Sequence, residues 1–75
     1  MNNGIHIGEC IRYKLRNEQR SITWLARQVH QDRSSLGKLL KKESIDTQLL
    51  FKISLALQFN FFDCYSESFT LKNRK

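Results

Sequence analysis

The chain reads as an all-α protein, a compact bundle of four or five short helices, and three observations point that way. Apolar residues recur at three- and four-residue intervals in successive segments, the spacing that lines one face of a helix. Side chains suited to a helix N-cap, Ser21, Asp32 and Asp46 or Thr47, stand just ahead of three of those segments. There is no proline, Gly/Ser-rich linker, repeat or low-complexity tract, so the 75 residues form one continuous unit, near the lower size limit for a core without staples.

Ile7, Ile11 and Leu15 fall at i, i+4 and i+8, which predicts a first helix over residues 6–18 with Arg12, Lys14 and Arg16 off the apolar stripe. Ser21 offers a side-chain oxygen to the free N–H groups of a second helix, whose stripe is Ile22, Leu25, Ala26 and Val29. After a break at His30 and Gln31, Asp32 caps a third helix and complements its dipole. Leu36, Leu39 and Leu40 form its inner side, and Lys41 and Lys42 suit a last turn near residue 42. Asp46 or Thr47 caps a fourth helix running to Gln58. That helix is apolar on two sides, Leu49, Leu50, Ile53, Ala56 and Leu57 on one and Phe51, Leu55 and Phe59 on the other, so it needs two surfaces to pack on. The first is the core. The second is either the aromatic segment 59–65 or another subunit. Residues 60–66 are expected to form a short fifth helix. The segment 66–75, SESFTLKNRK, lacks helical periodicity and is expected to be a flexible basic tail, with SFTL as a short strand the less favoured alternative.

Charge is unevenly placed. Residues 1–42 hold nine Lys/Arg (12, 14, 16, 20, 27, 33, 38, 41, 42) against three acids (9, 18, 32), whereas residues 43–75 hold four of each. The whole net charge of +6 therefore lies in the half that contains the second and third helices, as expected of a polyanion partner. The third helix turns leucines inward and leaves Arg33, Ser34, Gly37, Lys38 and Lys41 outward. A short helix with that outer face suits the major groove of double-stranded DNA.

Several classes are not expected. The opening MNNGIHIGEC has no basic region followed by an apolar run, and no segment nears the ~20 apolar residues of a membrane span. Cys10 and Cys64 make no disulfide framework and read as reduced thiols of a cytoplasmic protein, nucleoid-associated when bound to DNA. With His6 and His30 they show no metal-ligand spacing, so neither metal nor cofactor is expected. No nucleophile–base set, paired carboxylates or phosphate-cradling glycine loop is visible, so the chain is not read as an enzyme. One domain filling the chain leaves no room for a ligand-sensing module.

Ile7-Gly8, Ile11-Arg12, Leu15-Arg16, Leu25-Ala26, Arg33-Ser34-Ser35-Leu36, and Leu50, Ile53, Ala56 and Leu57 occur in order and at fitting spacing. On these residues the chain resembles the helix-turn-helix domain of the phage-repressor (Cro/cI, XRE-like) family over roughly residues 7–65. The resemblance implies a DNA-binding domain over 1–65 with the helix-turn-helix at helices 2 and 3. Ala26 would be small because two helices cross above it, and Leu36 would anchor the recognition helix. Base contacts would come from Arg33, Ser34, Gly37 and Lys38, with Arg33 able to grip guanine O6 and N7 in a bidentate way. Ser21, Ile22, Arg27, Lys41 and Lys42 would meet phosphates.

The sequence departs from the family pattern at three places. The turn position usually occupied by glycine is His30, a residue that tolerates left-handed backbone. Helix 2 usually opens on a glutamine that braces the recognition helix, a role Ile22 cannot fill through its side chain. Gly37 stands mid-helix at a cost of about 1 kcal/mol relative to alanine, either to bring the helix close to a base edge or by drift at an exposed site.

Trp24 is either an anchor for a partner protein or, the favoured reading, a side chain folded over helix 1 or beneath arginine stems. Phe59, Phe61, Phe62 and Tyr65 are either a lid over helix 4 or a dimer seam, and the resemblance favours a homodimer, with Phe51, Leu55, Phe59, Phe62, Tyr65 and Trp24 as the possible dimer or partner surface. The leading expectation is a small sequence-specific transcriptional regulator. The alternative is an adaptor or antitoxin using the same fold to bind a protein partner.

Overall fold

The computed structural model describes residues 5–72, which hold five helices and, among the described residues, no strand. They are α1 (Ile7–Asn17), α2 (Ile22–Gln28), α3 (Arg33–Leu39), α4 (Thr47–Leu57) and α5 (Phe62–Lys72). No helix among them is long and apolar enough to cross a membrane.

Four starts are capped by side chains. Ser21 Oγ accepts from the Trp24 N–H, an Asp32 carboxylate oxygen from Ser35 N–H and an Asp46 carboxylate oxygen from Leu49 N–H, at 3.0, 3.1 and 3.1 Å. Such caps satisfy donors that have no partner within the helix. The fourth cap is His6, whose Nδ1 accepts from the Glu9 N–H at 3.0 Å. A neutral imidazole that accepts at Nδ1 carries its proton on Nε2, and Nε2 donates to the Lys41 carbonyl at 3.1 Å. His6 therefore caps α1 and ties it to the chain beyond α3.

Three helices end alike. Gln19, His30 and Gln58 follow α1, α2 and α4 with φ of 56°, 58° and 52°. The next residue's N–H reaches back five positions in each case, Arg20 to Leu15, Gln31 to Ala26 and Phe59 to Ser54, at 2.8, 2.9 and 3.0 Å. These bonds satisfy terminal carbonyls in the Schellman manner, with non-glycine residues in the left-handed position. His30 adopts the backbone expected of it.

The core consists of Ile7, Ile11 and Leu15 from α1, Leu25, Ala26 and Val29 from α2 and its end, Leu36 and Leu40 around α3, Leu49, Leu50, Ile53 and Leu57 from α4, and Phe61. Each inner stripe read from the sequence supplies core residues, with Ile22, Leu39 and Ala56 half-buried at its edge, whereas the second stripe of the fourth helix, Phe51, Leu55 and Phe59, is exposed. Gly8 is where α1 touches the segment after α3. A Cβ there would lie 1.9 Å from the Leu40 carbonyl oxygen, and the adjacent Ile7 N–H donates to Glu43 O at 2.8 Å.

Two boundaries differ from expectation. The third helix stops at Leu39 rather than near Lys42, because the Lys41 and Lys42 N–H groups tighten to carbonyls three residues back, at 3.2 and 3.1 Å. The Lys41 and Glu43 carbonyls then serve α1. The fifth helix begins at Phe62 and continues to Lys72, so residues 66–72, expected as a non-helical tail, are helical, SFTL among them. Asn60 starts it, its side-chain Oδ1 accepting from Phe62 N–H at 3.0 Å and its Nδ2 donating to Asp63 Oδ1 at 3.3 Å. α5 has no buried residue over Phe62–Leu71, and a helix that buries no stripe leaves no periodicity to read. Residues 73–75 of the expected tail lie outside the described residues.

Candidate nucleic-acid interface

α3 is held by Leu36, fully buried, with Leu40 just beyond its end. Helical geometry then turns Arg33, Ser34 and Lys38 outward, and all three are exposed. Gly37 lies among them; a Cβ there would find nothing within 4 Å, and its φ is not positive. No packing or backbone requirement in this chain calls for glycine at that position. Asp32, the acid nearest this surface, is engaged by Ser35 N–H as the cap of α3.

The first turns of α2 and α3 lie side by side. Arg33 Nε donates to Thr23 Oγ1 at 3.2 Å across ten residues of sequence. This bond links the starts of α2 and α3 side chain to side chain. Ile22 is half-buried and lines a shallow hollow of ≈ 150 Å³ with Arg12, Leu15, Arg16 and Arg20. Its side chain belongs to the edge of the core, which leaves only its backbone for any phosphate contact. The Ser21 hydroxyl is likewise engaged in capping. Arg27 is exposed at the end of α2, and Lys41 and Lys42 are exposed in the turn after α3.

Among the described residues two basic side chains have carboxylate partners, Arg12 with Glu9 at 3.0 Å and Lys14 with Glu18 at 3.1 Å. Arg16, Arg20, Arg27, Arg33, Lys38, Lys41 and Lys42 have none within that set. Seven cations without local counter-charges make a field that attracts an anion, whereas paired surface ions largely cancel.

Trp24 is half-buried, and the Arg20 guanidinium carbon sits 4.1 Å from its ring centroid. The tryptophan is thus covered by an arginine, with cation–π attraction added to the contact. The aromatic residues of the C-terminal third divide. Phe61 enters the core completely and its N–H donates to Ser54 Oγ at 3.3 Å. Phe59 packs edge-on against Phe61, ring centroids 4.8 Å apart, with Lys14 Nζ 4.8 Å from its own centroid. Phe62 is half-buried and Tyr65 only just in the exposed range, whereas Phe51 is 56 % and Leu55 63 % exposed. Phe69 and Leu71, outside the expected surface because their segment was read as non-helical, are 67 % and 66 % exposed.

Thr23, Arg20 and His6 make contacts that sequence reasoning did not assign. Arg20 precedes Trp24 by four residues, but the non-helical break between them hides the pairing. Thr23–Arg33 and His6–Lys41 have no local signal at all. No protein-family model, curated protein or solved structure matches the chain.

Proposed function

We propose that this chain is a small DNA-binding regulator, not an enzyme, that lays α3 in the major groove through a repressor-like helix-turn-helix formed by α2 and α3. The observation that carries the reading is the outer side of α3. Arg33, Ser34 and Lys38 are exposed around an open Gly37, next to cations that lack acidic partners among the described residues. Arg33 and Lys38 suit guanine edges, Ser34 suits several bases, and Gly37 lets the backbone come close. Lys41, Lys42 and Arg27 contact phosphates, with the backbone at Ser21 and Ile22, so affinity falls steeply with salt.

The protein acts as a homodimer in this reading, supported by Phe51, Leu55, Phe69 and Leu71, four large apolar side chains each more than half exposed. Phe51 and Leu55 line one hollow with Phe59 and Phe62, an apolar surface of the kind that marks a contact site. A second copy, docked symmetrically, would read a palindrome with half-sites about 10 base pairs apart. Selection of duplexes from a random pool at physiological salt tests both statements. Enrichment of a palindrome supports them, and a single half-site supports DNA binding by a monomer. No enrichment, with sedimentation showing a complex with another protein, would transfer the fold to the adaptor or antitoxin role.

A further inference from the structure

We propose that Cys10 and Cys64 form a peroxide-responsive dithiol site whose oxidation to a disulfide clips α5 to α1. The two residues are 54 positions apart in sequence, yet both line one cavity of ≈ 490 Å³ with Tyr13, Phe59 and Phe61. Both are free thiols and half-buried. The cavity admits a small oxidant, and its lining also carries Glu9, Lys14 and Arg16, with Lys14 paired to Glu18.

The chemistry divides between the two thiols. Burial, the bond to Cys10 and the charges of Glu67 and Asp63 push the Cys64 thiol up to about 11, so it holds its proton at neutral pH. Cys64 is thereby the slower nucleophile of the pair, because a thiolate and not a thiol attacks, and the first attack is assigned to Cys10. Cys10 loses its proton and attacks one oxygen of hydrogen peroxide. The O–O bond breaks and leaves a sulfenic acid and one water. Cys64 sulfur then attacks the sulfenic sulfur, its proton leaves with the departing hydroxyl as a second water, and the S–S bond closes. Two electrons pass from the sulfurs to the peroxide.

A disulfide needs the two Cα atoms roughly 4.4–6.8 Å apart. α5 has no fully buried residue over Phe62–Leu71, and only Phe62 and Cys64 pack partly against the core, so small shifts of the helix cost little packing. For the same reason α5 is the helix least secured by packing, and elements with little buried surface open most readily. The cross-link joins α5 to α1, a helix with three fully or nearly fully buried anchors in Ile7, Ile11 and Leu15. Phe69 and Leu71, the exposed apolar residues of α5, are thereby held in one place relative to the core. The proposal stands independently of DNA binding.

The test treats the full chain with hydrogen peroxide, blocks residual thiols with a maleimide and measures intact mass, peptide map and amide hydrogen exchange. The expected product is a monomeric chain lighter by two hydrogens, unreactive to maleimide, with a Cys10–Cys64 cross-linked peptide. Its α5 amides should exchange at least tenfold more slowly than in the reduced chain, and a reductant should reverse both changes. Cys10→Ser and Cys64→Ser should each prevent the mass loss. Addition of two or three oxygens without a cross-link, a disulfide between two chains, or unchanged exchange in α5 after cross-linking would overturn the proposal.

Discussion

Replacing Gly8 by alanine tests how α1 is seated. The new Cβ would stand 1.9 Å from Leu40 O, 2.6 Å from Leu40 C and 2.9 Å from Lys42 O, all backbone atoms that cannot swing aside. Opening the closest contact to the 3.0 Å that real Cβ atoms tolerate moves α1 by about 1 Å relative to that turn. A gap of that size forfeits roughly a quarter to a half of each van der Waals contact it opens. The nearest contacts are those of Ile7 and Ile11, both 0 % exposed. Overpacking of this kind costs about 1–3 kcal/mol, and loss of the adjacent Ile7–Glu43 hydrogen bond about 1 kcal/mol more. Alanine's better helix propensity returns about 1 kcal/mol. The net loss is about 1–3 kcal/mol, or roughly 5–20 °C in Tm for a domain of this size. Gly37→Ala is the internal control, since nothing lies within 4 Å of its Cβ. Only the propensity term applies there, and stability should rise by about 0.5–1 kcal/mol. Thermal and guanidinium unfolding followed by circular dichroism measure both. Equal Tm values for Gly8→Ala and the parent chain would refute the seating of α1 against Leu40.

Other substitutions probe the remaining devices. Arg33→Ala should weaken binding to the selected duplex by about 1–3 kcal/mol and relax preference at one base pair, whereas Lys42→Ala should weaken all duplexes alike and lower the salt slope by about one; quantitative footprinting separates the two patterns. His30→Gly should raise Tm, because left-handed backbone costs a side-chain-bearing residue about 1–2 kcal/mol and glycine's added unfolded-state freedom offsets only part of that. A lowered Tm would mean that His30 makes contacts the backbone argument ignores. Cys64 gives an alkaline signature. Its folded thiol ionises near about 11 against an ordinary 9.0, so the unfolded chain gives up the proton first. Its contribution is intact below about 9 and is lost as pH rises through about 11. Cys64→Ser should flatten that part of the stability–pH curve under reducing conditions, and an unchanged curve would remove the thiol as its source.

What could be read in advance follows from the range of the forces involved. Amphipathic spacing acts within four residues, so the stripes of Ile7, Ile11 and Leu15, of Leu25, Ala26 and Val29, and of Leu49, Leu50, Ile53 and Leu57 predicted their own burial. Capping acts within three residues, so Ser21, Asp32 and Asp46 marked helix starts correctly. His6 did not announce itself as a cap, since imidazole is an infrequent choice there. The outer side of α3 was legible because Leu36 fixes which side faces inward and a helix then determines the rest.

The sequence by itself determined the all-helical class, four of the helices and the surplus of positive charge in the first forty-two residues, because each is a property of neighbouring residues or of simple composition. Tertiary structure alone decided where α3 ends, since α1 takes the carbonyls of Lys41 and Glu43. It decided that Thr23 bonds to Arg33, that Phe61 and not Phe59 enters the core, and that Cys10 and Cys64 line one cavity. It also extended α5 to Lys72. These are contacts between distant residues, or the conformation of a helix with little packing, and neither leaves a periodic trace. A hydrogen bond or a thiol pair spanning ten to fifty-four residues is chosen by the way the helices stack, and only the folded chain carries that information.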